Sequence, residues 1–125
     1  MSCIFCKIIN KEAPTNLVYE DERVIAIKDI YPKAPIHILI IPKKHIESVR
    51  RLENSDKELI GELILVAKKI AEDYNPPTTS SRRQSRRAPK KLEGYKLVIN
   101  VGREGGQIIE HLHLHLLGGK PVELP

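Results

Sequence analysis

The chain has 125 residues, of which 41% are hydrophobic and 30% charged, and this balance predicts one globular domain over residues 1–125. No stretch approaches the roughly 20 apolar residues of a membrane-spanning helix, and the N-terminus lacks the layout of a secretory signal. We therefore expect a cytoplasmic protein without a membrane anchor.

Cys3 and Cys6 lie three residues apart at the start of the chain, with two residues between them. A structural disulfide is disfavoured in a reducing compartment, so the pair indicates metal or redox chemistry. Two thiolates at this spacing are typical of structural zinc sites, and tetrahedral zinc needs two further ligands. Two reduced thiols without a metal are the alternative, because the motif alone is only moderately specific.

Three regular elements are predicted in the first 75 residues. Residues 24–30 and 36–41 are rich in β-branched side chains and predict two paired strands. From Ser55 to Tyr74 apolar residues recur at three- and four-residue steps, which predicts the main helix, with Ser55 and Glu58 as a candidate capping box.

The net charge of +5 comes from one segment, residues 76–91, which holds six basic residues and no acidic one. Outside it, 15 basic and 16 acidic residues remain, so the rest of the chain is nearly neutral. The Ser, Thr, Pro and Arg composition predicts a flexible loop insertion. Two interpretations stay open: a solvated loop without function, or weak non-specific polyanion binding by residues 82–91.

Residues 95–100 predict a third strand, and a glycine-rich loop at residues 102–107 follows it. The main-chain N–H groups of such a loop and the amide of Gln107 can bind phosphate oxygens. A simple turn explains the glycines equally well.

His111, His113 and His115 alternate with leucines in a fourth predicted strand, residues 111–117. Alternate side chains of a strand share a face, so the three imidazoles lie on one face, roughly 6.5–7 Å apart, and the leucines on the other. Such a row can bind a phosphate or a metal. A solvated polar face is the alternative, but three of the five histidines of the chain lie here.

The pattern His-φ-His-φ-His-φ-φ, with φ apolar, resembles the signature of the histidine triad family. The similarity covers nearly the whole chain except residues 76–91, and it is closer to the nucleotide-binding branch that hydrolyses purine nucleoside phosphoramidates than to the dinucleotide hydrolases. It implies an α+β fold: an antiparallel sheet of about five strands with one long and one short helix, the sheet extended across a homodimer. The residues alone indicate only the α+β class.

The resemblance implies that His37, His111, His113 and His115 are the catalytic residues of a nucleotide hydrolase or nucleotidyl transferase. His113 would attack the α-phosphorus of a purine nucleotide and form a nucleotidyl-histidine that water then hydrolyses. His115 would assist the leaving group, His37 would hold the cluster, and the carbonyl or ring of His111 would orient the nucleophile. For His37, a packed non-catalytic histidine is the alternative.

The resemblance also implies a nucleotide site. Asp29 would accept hydrogen bonds from the ribose hydroxyls, and the phosphate would bind to Asn100, Gly106 and Gln107. The implied base pocket consists of five apolar residues: Ile4, Phe5, Ile8, Ile27 and Ile30. Asp29 and Asn100 are also typical turn residues, and apolar packing is the alternative for the pocket.

For the zinc ion, the resemblance implies His45 and His111 as the ligands that complete the site of Cys3 and Cys6. A surface histidine is the alternative for His45, and a catalytic metal shared by the three histidines of the row is a further scheme.

Ile108 stands where related proteins commonly carry a serine or threonine that contacts the phosphate, which predicts slower turnover. This departure keeps a non-enzyme alternative open: a zinc-stabilised nucleotide-binding or interaction module, with a basic loop that binds a polyanion.

Overall fold

The computed structural model describes residues 3–73 and 92–119. The predicted loop at residues 76–91, with its polyanion-binding part, lies outside the described residues. The helices and strands in chain order are α1 (Ile4–Ile9), β1 (Leu17–Glu20), β2 (Val24–Lys28), β3 (Ile36–Pro42), α2 (Lys57–Glu72), β4 (Tyr95–Val98) and β5 (Leu114–Gly118). Short 3-10 turns lie at Val49–Arg51, Asn54–Asp56 and Arg103–Gly105.

The five strands form one antiparallel sheet in the order β1-β2-β3-β5-β4, which confirms the α+β fold. At the centre of the sheet, His37 lies opposite Leu117 and Leu39 lies opposite His115. Residues that oppose each other across an antiparallel pair share a face. This register therefore places His37 and His115 on the same face of neighbouring strands.

The two faces of the sheet carry separate apolar clusters. On one face, buried side chains of α2 pack against the sheet and against Leu112, Leu114 and Leu116, the leucines of the histidine row. On the other face, Phe5 and Ile8 of α1 pack against alternate residues of β2 and β3. The leucines thus lie in the main core, as the alternation predicts.

β1 is not predicted from the sequence. It has only four residues, and none of them is fully buried, so it lacks a clear apolar alternation. β2 and β4 also end earlier than predicted, at Lys28 and Val98.

The histidine row enters the sheet later than predicted. β5 begins at Leu114 because its pairing with β3 begins where Leu114 lies opposite Ile40. Before that point the chain runs beside the segment that follows β3, and the N–H of Leu112 donates to the carbonyl of Ile46 at 2.6 Å.

The predicted capping box of Ser55 and Glu58 is wrong. α2 begins at Lys57, and the capping box lies in the preceding 3-10 turn, between Glu53 and Asp56. Asp56 is 4% exposed, accepts a hydrogen bond from the N–H of Glu53 at 2.9 Å and pairs with Lys44 at 2.7 Å.

Within residues 3–73 and 92–119, the structure contains no helix that is long and apolar enough to cross a bilayer.

Candidate functional site

A cavity of about 1000 Å³ lies on the sheet face that carries α1. It brings together most of the site residues that the sequence predicts: Ile4, Phe5, Ile8, Ile27, Asp29, Ile30, His37, Asn100, Gly106, His113 and His115. Five predicted residues lie elsewhere: Gln107 and the four candidate zinc ligands Cys3, Cys6, His45 and His111. The cavity has the size of a site for a small molecule.

Phe5 joins the apolar wall of the cavity to the histidine row. Its ring is 3% exposed and meets the rings of His111 and His113 edge-on, at centroid distances of 5.8 and 5.1 Å. α1 has only six residues, too few to be stable as an isolated helix. Its position on the cavity wall therefore depends on tertiary contacts such as these.

A main-chain hydrogen bond fixes the tautomer of His113. The Nδ1 atom lies 2.7 Å from the carbonyl oxygen of His111, and since a carbonyl only accepts, Nδ1 carries the hydrogen. In the neutral ring the lone pair then lies on Nε2. Burial lowers the pKa of His113, which favours this neutral form.

His37 and His115 form a second fixed pair. The main-chain N–H of Lys33 donates to Nδ1 of His37 at 3.0 Å, so Nε2 of His37 carries the hydrogen. This Nε2 lies 2.9 Å from Nδ1 of His115 and donates to it, which leaves the hydrogen of His115 on its Nε2. Asp29 offers a second acceptor, with Oδ2 at 3.3 Å from Nε2 of His37.

Burial and the neighbouring rings keep His115 neutral. Burial, followed by the nearby His113 and His37, lowers the pKa of His115 to about 4. The rings of His113 and His115 are tilted by 59° with centroids 5.0 Å apart, closer than the spacing expected along a strand, because the rings lean towards each other. At neutral pH His115 is therefore an uncharged hydrogen-bond donor.

A second cluster lies beside the cavity and consists of Cys3, Cys6, His45 and His111. One ligand atom from each residue lies within 4.8 Å of all the others. Nδ1 of His111 is 3.4 Å from Sγ of Cys3 and 3.1 Å from Nδ1 of His45, while Sγ of Cys6 is 3.3 Å from Nδ1 of His45.

The donor set of this cluster fits zinc. Nε2 of His111 donates to the carbonyl of Pro42 at 2.8 Å, which leaves the lone pair on Nδ1, the atom that faces the thiols. Two sulfur and two imidazole ligands are a composition typical of structural zinc sites.

The three histidines of the row do not converge on one point. His111 faces the cysteines, whereas His113 and His115 line the cavity. This separation gives no support to a metal shared by all three. Asp29, His37 and His115 also lie within 4.8 Å of one another, but the hydrogen on Nε2 of His37 makes that atom a donor rather than a metal ligand.

Gln107, the last residue of the glycine-rich loop, turns its side chain to the main chain of the protein and does not line the cavity. Its side chain is 8% exposed; Nε2 donates to the carbonyls of Glu47 at 2.7 Å and Ile109 at 2.9 Å, and Oε1 accepts from the N–H of Gly102 at 2.9 Å. In this arrangement both amide hydrogens are used within the protein. Asn100 supports the same loop through a 2.7 Å bond to the carbonyl of Gly105.

Gly106 has a φ of 87°, in the left-handed region that favours glycine, and its place on the cavity leaves main-chain atoms next to the site.

Some residues that build the site are not predicted from the sequence. Leu39 and Leu117 line the cavity beside the histidines. Each lies two residues after a histidine, His37 or His115, and this spacing on a strand could have predicted that they share the histidine face. Lys33 acts through its main-chain N–H, for which no sequence signal exists.

Comparisons with known proteins agree with this geometry. The model of the family described as "scavenger mRNA decapping enzyme C-term binding" matches residues 2–122. An uncharacterised HIT-like protein of Synechocystis sp. is 41% identical over 122 residues, which cover 98% of this chain and 94% of that protein. HIT is the usual abbreviation of histidine triad.

Solved structures are also similar. A HIT family hydrolase from Legionella pneumophila is 41% identical, with a TM-score of 0.81 and coverage of 99% of this chain and 98% of that one. A zinc-bound histidine triad family protein from Mycobacterium smegmatis is 30% identical, with a TM-score of 0.75 and coverage of 96% and 76%. The expectation from the histidine pattern is confirmed: the chain belongs to the histidine triad family.

Proposed function

We propose that the protein hydrolyses or transfers the 5′-monophosphate group of a purine nucleoside phosphoramidate or a related adenylate, through a nucleotidyl intermediate on His113. The family membership and the hydrolase from Legionella pneumophila support nucleotide hydrolysis in general. The observation that carries the specific proposal is the 2.7 Å bond from His113 to the carbonyl of His111, which leaves a lone pair on Nε2 of a cavity-lining ring.

The first step forms a bond between Nε2 of His113 and the α-phosphorus. The bond from phosphorus to the leaving nitrogen breaks, and the leaving amine takes a proton from solvent while it accepts a hydrogen bond from Nε2 of His115. Water then attacks the phosphorus, its proton returns to solvent, and the bond to His113 breaks. The fixed tautomers of His113 and His115 support this assignment, because the first must accept and the second must donate.

The same cavity would hold the nucleotide. Asp29 lies at its edge, where a carboxylate can accept hydrogen bonds from ribose hydroxyls, and Asn100 with Gly106 lies on the loop beside the histidines. The apolar side chains of α1 and β2 supply a surface for the base, with Ile30 exposed at the mouth. Gln107 would act on the phosphate indirectly, by holding this loop.

We also propose a structural zinc ion held by Cys3, Cys6, His45 and His111. The fit of the donor set and the zinc-bound relative from Mycobacterium smegmatis support this proposal. All four ligands would come from the protein, which is typical of a structural rather than a catalytic zinc. Such an ion would tie α1 to the histidine row.

A homodimer with a continuous sheet is part of the proposal. β1 and β4 are the outer strands of the sheet, so each has one edge without a strand partner within the described part of the chain. Sedimentation analysis of the purified protein tests this point, and a purely monomeric species would contradict it.

The central experiment compares the wild type with His113→Ala on an adenosine 5′-phosphoramidate. AMP release is followed together with mass spectrometry of the protein after a quench without acid. We expect release by the wild type alone and an adenylyl adduct on His113. Undiminished release by His113→Ala would contradict the covalent mechanism.

A nucleotide-binding module with weak or no catalysis is the second candidate. The observation in its favour is Ile108, whose apolar side chain is 91% exposed on the loop at the mouth of the cavity. AMP binding by the wild type without any release from the phosphoramidate would favour this candidate.

A further inference from the structure

A second cleft, separate from the nucleotide cavity, lies on the other side of the glycine-rich loop. It has a volume of about 440 Å³ and runs between the Val49–Arg51 turn and the Arg103–Gly105 turn. We name it the arginine cleft after its lining residues, which include Glu47, Arg50, Arg51, Arg103, Ile108 and Glu110.

The charges of the arginine cleft leave guanidinium groups available. Among the described residues, neither Arg50 nor Arg103 has an ion-pair partner, and both are exposed. Arg51 has only a loose contact with Glu47, at 3.7 Å between Nε and Oε1. The lining thus holds three arginines and two glutamates, and the excess positive charge favours an anion.

The arginine cleft is braced rather than loose. Buried Gln107 lines the cleft and joins its two walls. Its Nε2 donates to the carbonyl of Glu47 on one wall, and its Oε1 accepts from the N–H of Gly102 on the other. Ser48 starts the turn that carries Arg50, through a 3.2 Å bond from the N–H of Arg50 to its Oγ. Fixed walls hold the main chain at Arg50 and Arg103 on opposite sides of one space.

The arginine cleft borders the nucleotide cavity. Ile108 lines both spaces, and its neighbours divide between them, with Ile109 on the cavity and Gln107 on the cleft. A group bonded to the phosphorus at His113 therefore meets this border when it extends beyond the cavity past Ile108. Ile108 is apolar, so its own side chain places no charge at this border.

We propose that the arginine cleft binds an oxyanion, a carboxylate or a phosphate, carried by the leaving group of the nucleotide substrate. The inference rests on the proposed function, because it assigns the part of the substrate beyond the α-phosphorus. Guanidinium groups suit this role, since their planar donors match the two oxygens of a carboxylate or phosphate. The enzyme then prefers an anionic leaving group over a neutral one of the same size.

The test uses three adenosine 5′-phosphoramidates that differ only in the leaving amine: glycine, which carries a carboxylate; aminomethylphosphonate, which carries a phosphate-like group; and glycinamide, which is neutral. The value of kcat/KM is measured for the wild type, Arg50→Gln, Arg103→Gln and the double variant. Arg23→Gln is the matched control, because it removes one exposed arginine that pairs with Glu62 outside the cleft.

We expect the wild type to favour the anionic substrates, with a loss of about fivefold for each cleft arginine removed and no change for glycinamide. The larger loss identifies which oxyanion the cleft fits. Equal rates for all three substrates, or equal losses on glycinamide, overturn the proposal while the proposed function stands.

If turnover is absent, a binding measurement tests anion binding by the arginine cleft separately from the proposed hydrolase function. Calorimetric titration of the same compounds into His113→Ala, alone and combined with Arg50→Gln and Arg103→Gln, reports the preference without chemistry. Tighter binding of the anionic compounds that disappears with the arginines supports the cleft even if the hydrolase assignment fails. Equal affinity for all three compounds overturns it.

Discussion

The imidazole of His113 donates from Nδ1 to the main-chain oxygen of His111 at 2.7 Å, while the side chain of His111 faces Cys3 and Cys6. One residue therefore contacts the candidate nucleophile through its main chain and the candidate zinc ligands Cys3 and Cys6 through its ring. Phe5, which lies between the two cysteines in sequence, contacts both rings. The cysteine–histidine cluster and the cavity are thus parts of one packed unit.

Removal of the proposed zinc ion is expected to weaken nucleotide binding. Without an ion to tie Cys3 and Cys6 to the histidine row, α1 loses a constraint and the apolar wall of the cavity loosens. The affinity for AMP should fall by about three- to tenfold and the melting temperature should fall with it. Titration and thermal unfolding with and without a chelator check this expectation.

A variant with Cys3→Ser and Cys6→Ser serves as the control for metal removal. It should bind AMP as the chelated wild type does and should not respond to chelator. Metal analysis that finds no zinc in the pure wild type would contradict the zinc proposal directly.

The main-chain N–H of Lys33 is expected to matter more than its side chain. Lys33→Pro removes the donor that fixes the tautomer of His37 and, through it, that of His115, whereas Lys33→Ala keeps the donor. Loss of one such hydrogen bond should lower kcat about tenfold in the proline variant only. Nitrogen chemical shifts of the two rings report the tautomers, and equal kcat values for the two variants would contradict this role.

Gln107 is expected to stabilise the fold before any ligand binds. Gln107→Ala leaves the carbonyl of Glu47 and the N–H of Gly102 without their partner, at a cost of about 2–3 kcal/mol in the free energy of unfolding. Asn100→Ala, which loses one bond at the more exposed Gly105, should cost less. Urea unfolding without nucleotide measures both. Unchanged stability of Gln107→Ala with lost AMP affinity would instead indicate a direct phosphate contact.

The stability of the fold is expected to decrease in mild acid because of His115. Its pKa is about 4 in the folded protein and near the ordinary 6.5 when unfolded, so below pH 6.5 the unfolded chain binds a proton that the folded chain does not. This contribution is fully present above pH 6.5 and is lost as the pH falls towards 4. After allowance for partial exposure, it amounts to about 1–2 kcal/mol.

His115→Gln isolates this effect, because glutamine does not titrate. Urea unfolding of both proteins across the same pH range should give a shallower loss for the variant. Identical pH profiles would show that His115 does not have the lowered pKa.

Ile108→Ser is expected to raise turnover. The side chain is 91% exposed, so the change should alter the free energy of unfolding by no more than about 0.5 kcal/mol. A hydroxyl that bonds the phosphate in the transition state would increase kcat by about tenfold. Ile108→Ala is the control, since it removes the isoleucine without adding a hydroxyl, and an equal rise in both variants would assign the effect to lost bulk.

The sequence predicted the elements that have strong periodicity. The main helix and the strands around residues 24–41 follow from apolar spacing, and the leucines of the histidine row pack in the main core as alternation requires. β1 was not predicted because its four residues are exposed or half-buried. The start of β5 was predicted too early because strand pairing, and not local composition, decides where a strand begins.

The sequence by itself determined the chemistry that is available: which histidines share a face, which two thiols have the spacing of a zinc site, and the family signature. The tertiary structure alone decided which nitrogen of each ring carries the hydrogen, because the carbonyl of Pro42 and the N–H of Lys33 reach rings on other elements of the fold. The tertiary structure also directs the side chain of Gln107 away from the cavity, because its amide forms hydrogen bonds with three main-chain groups. Every residue type except proline offers the same main-chain N–H and C=O groups, so hydrogen bonds to these groups cannot be predicted from residue types.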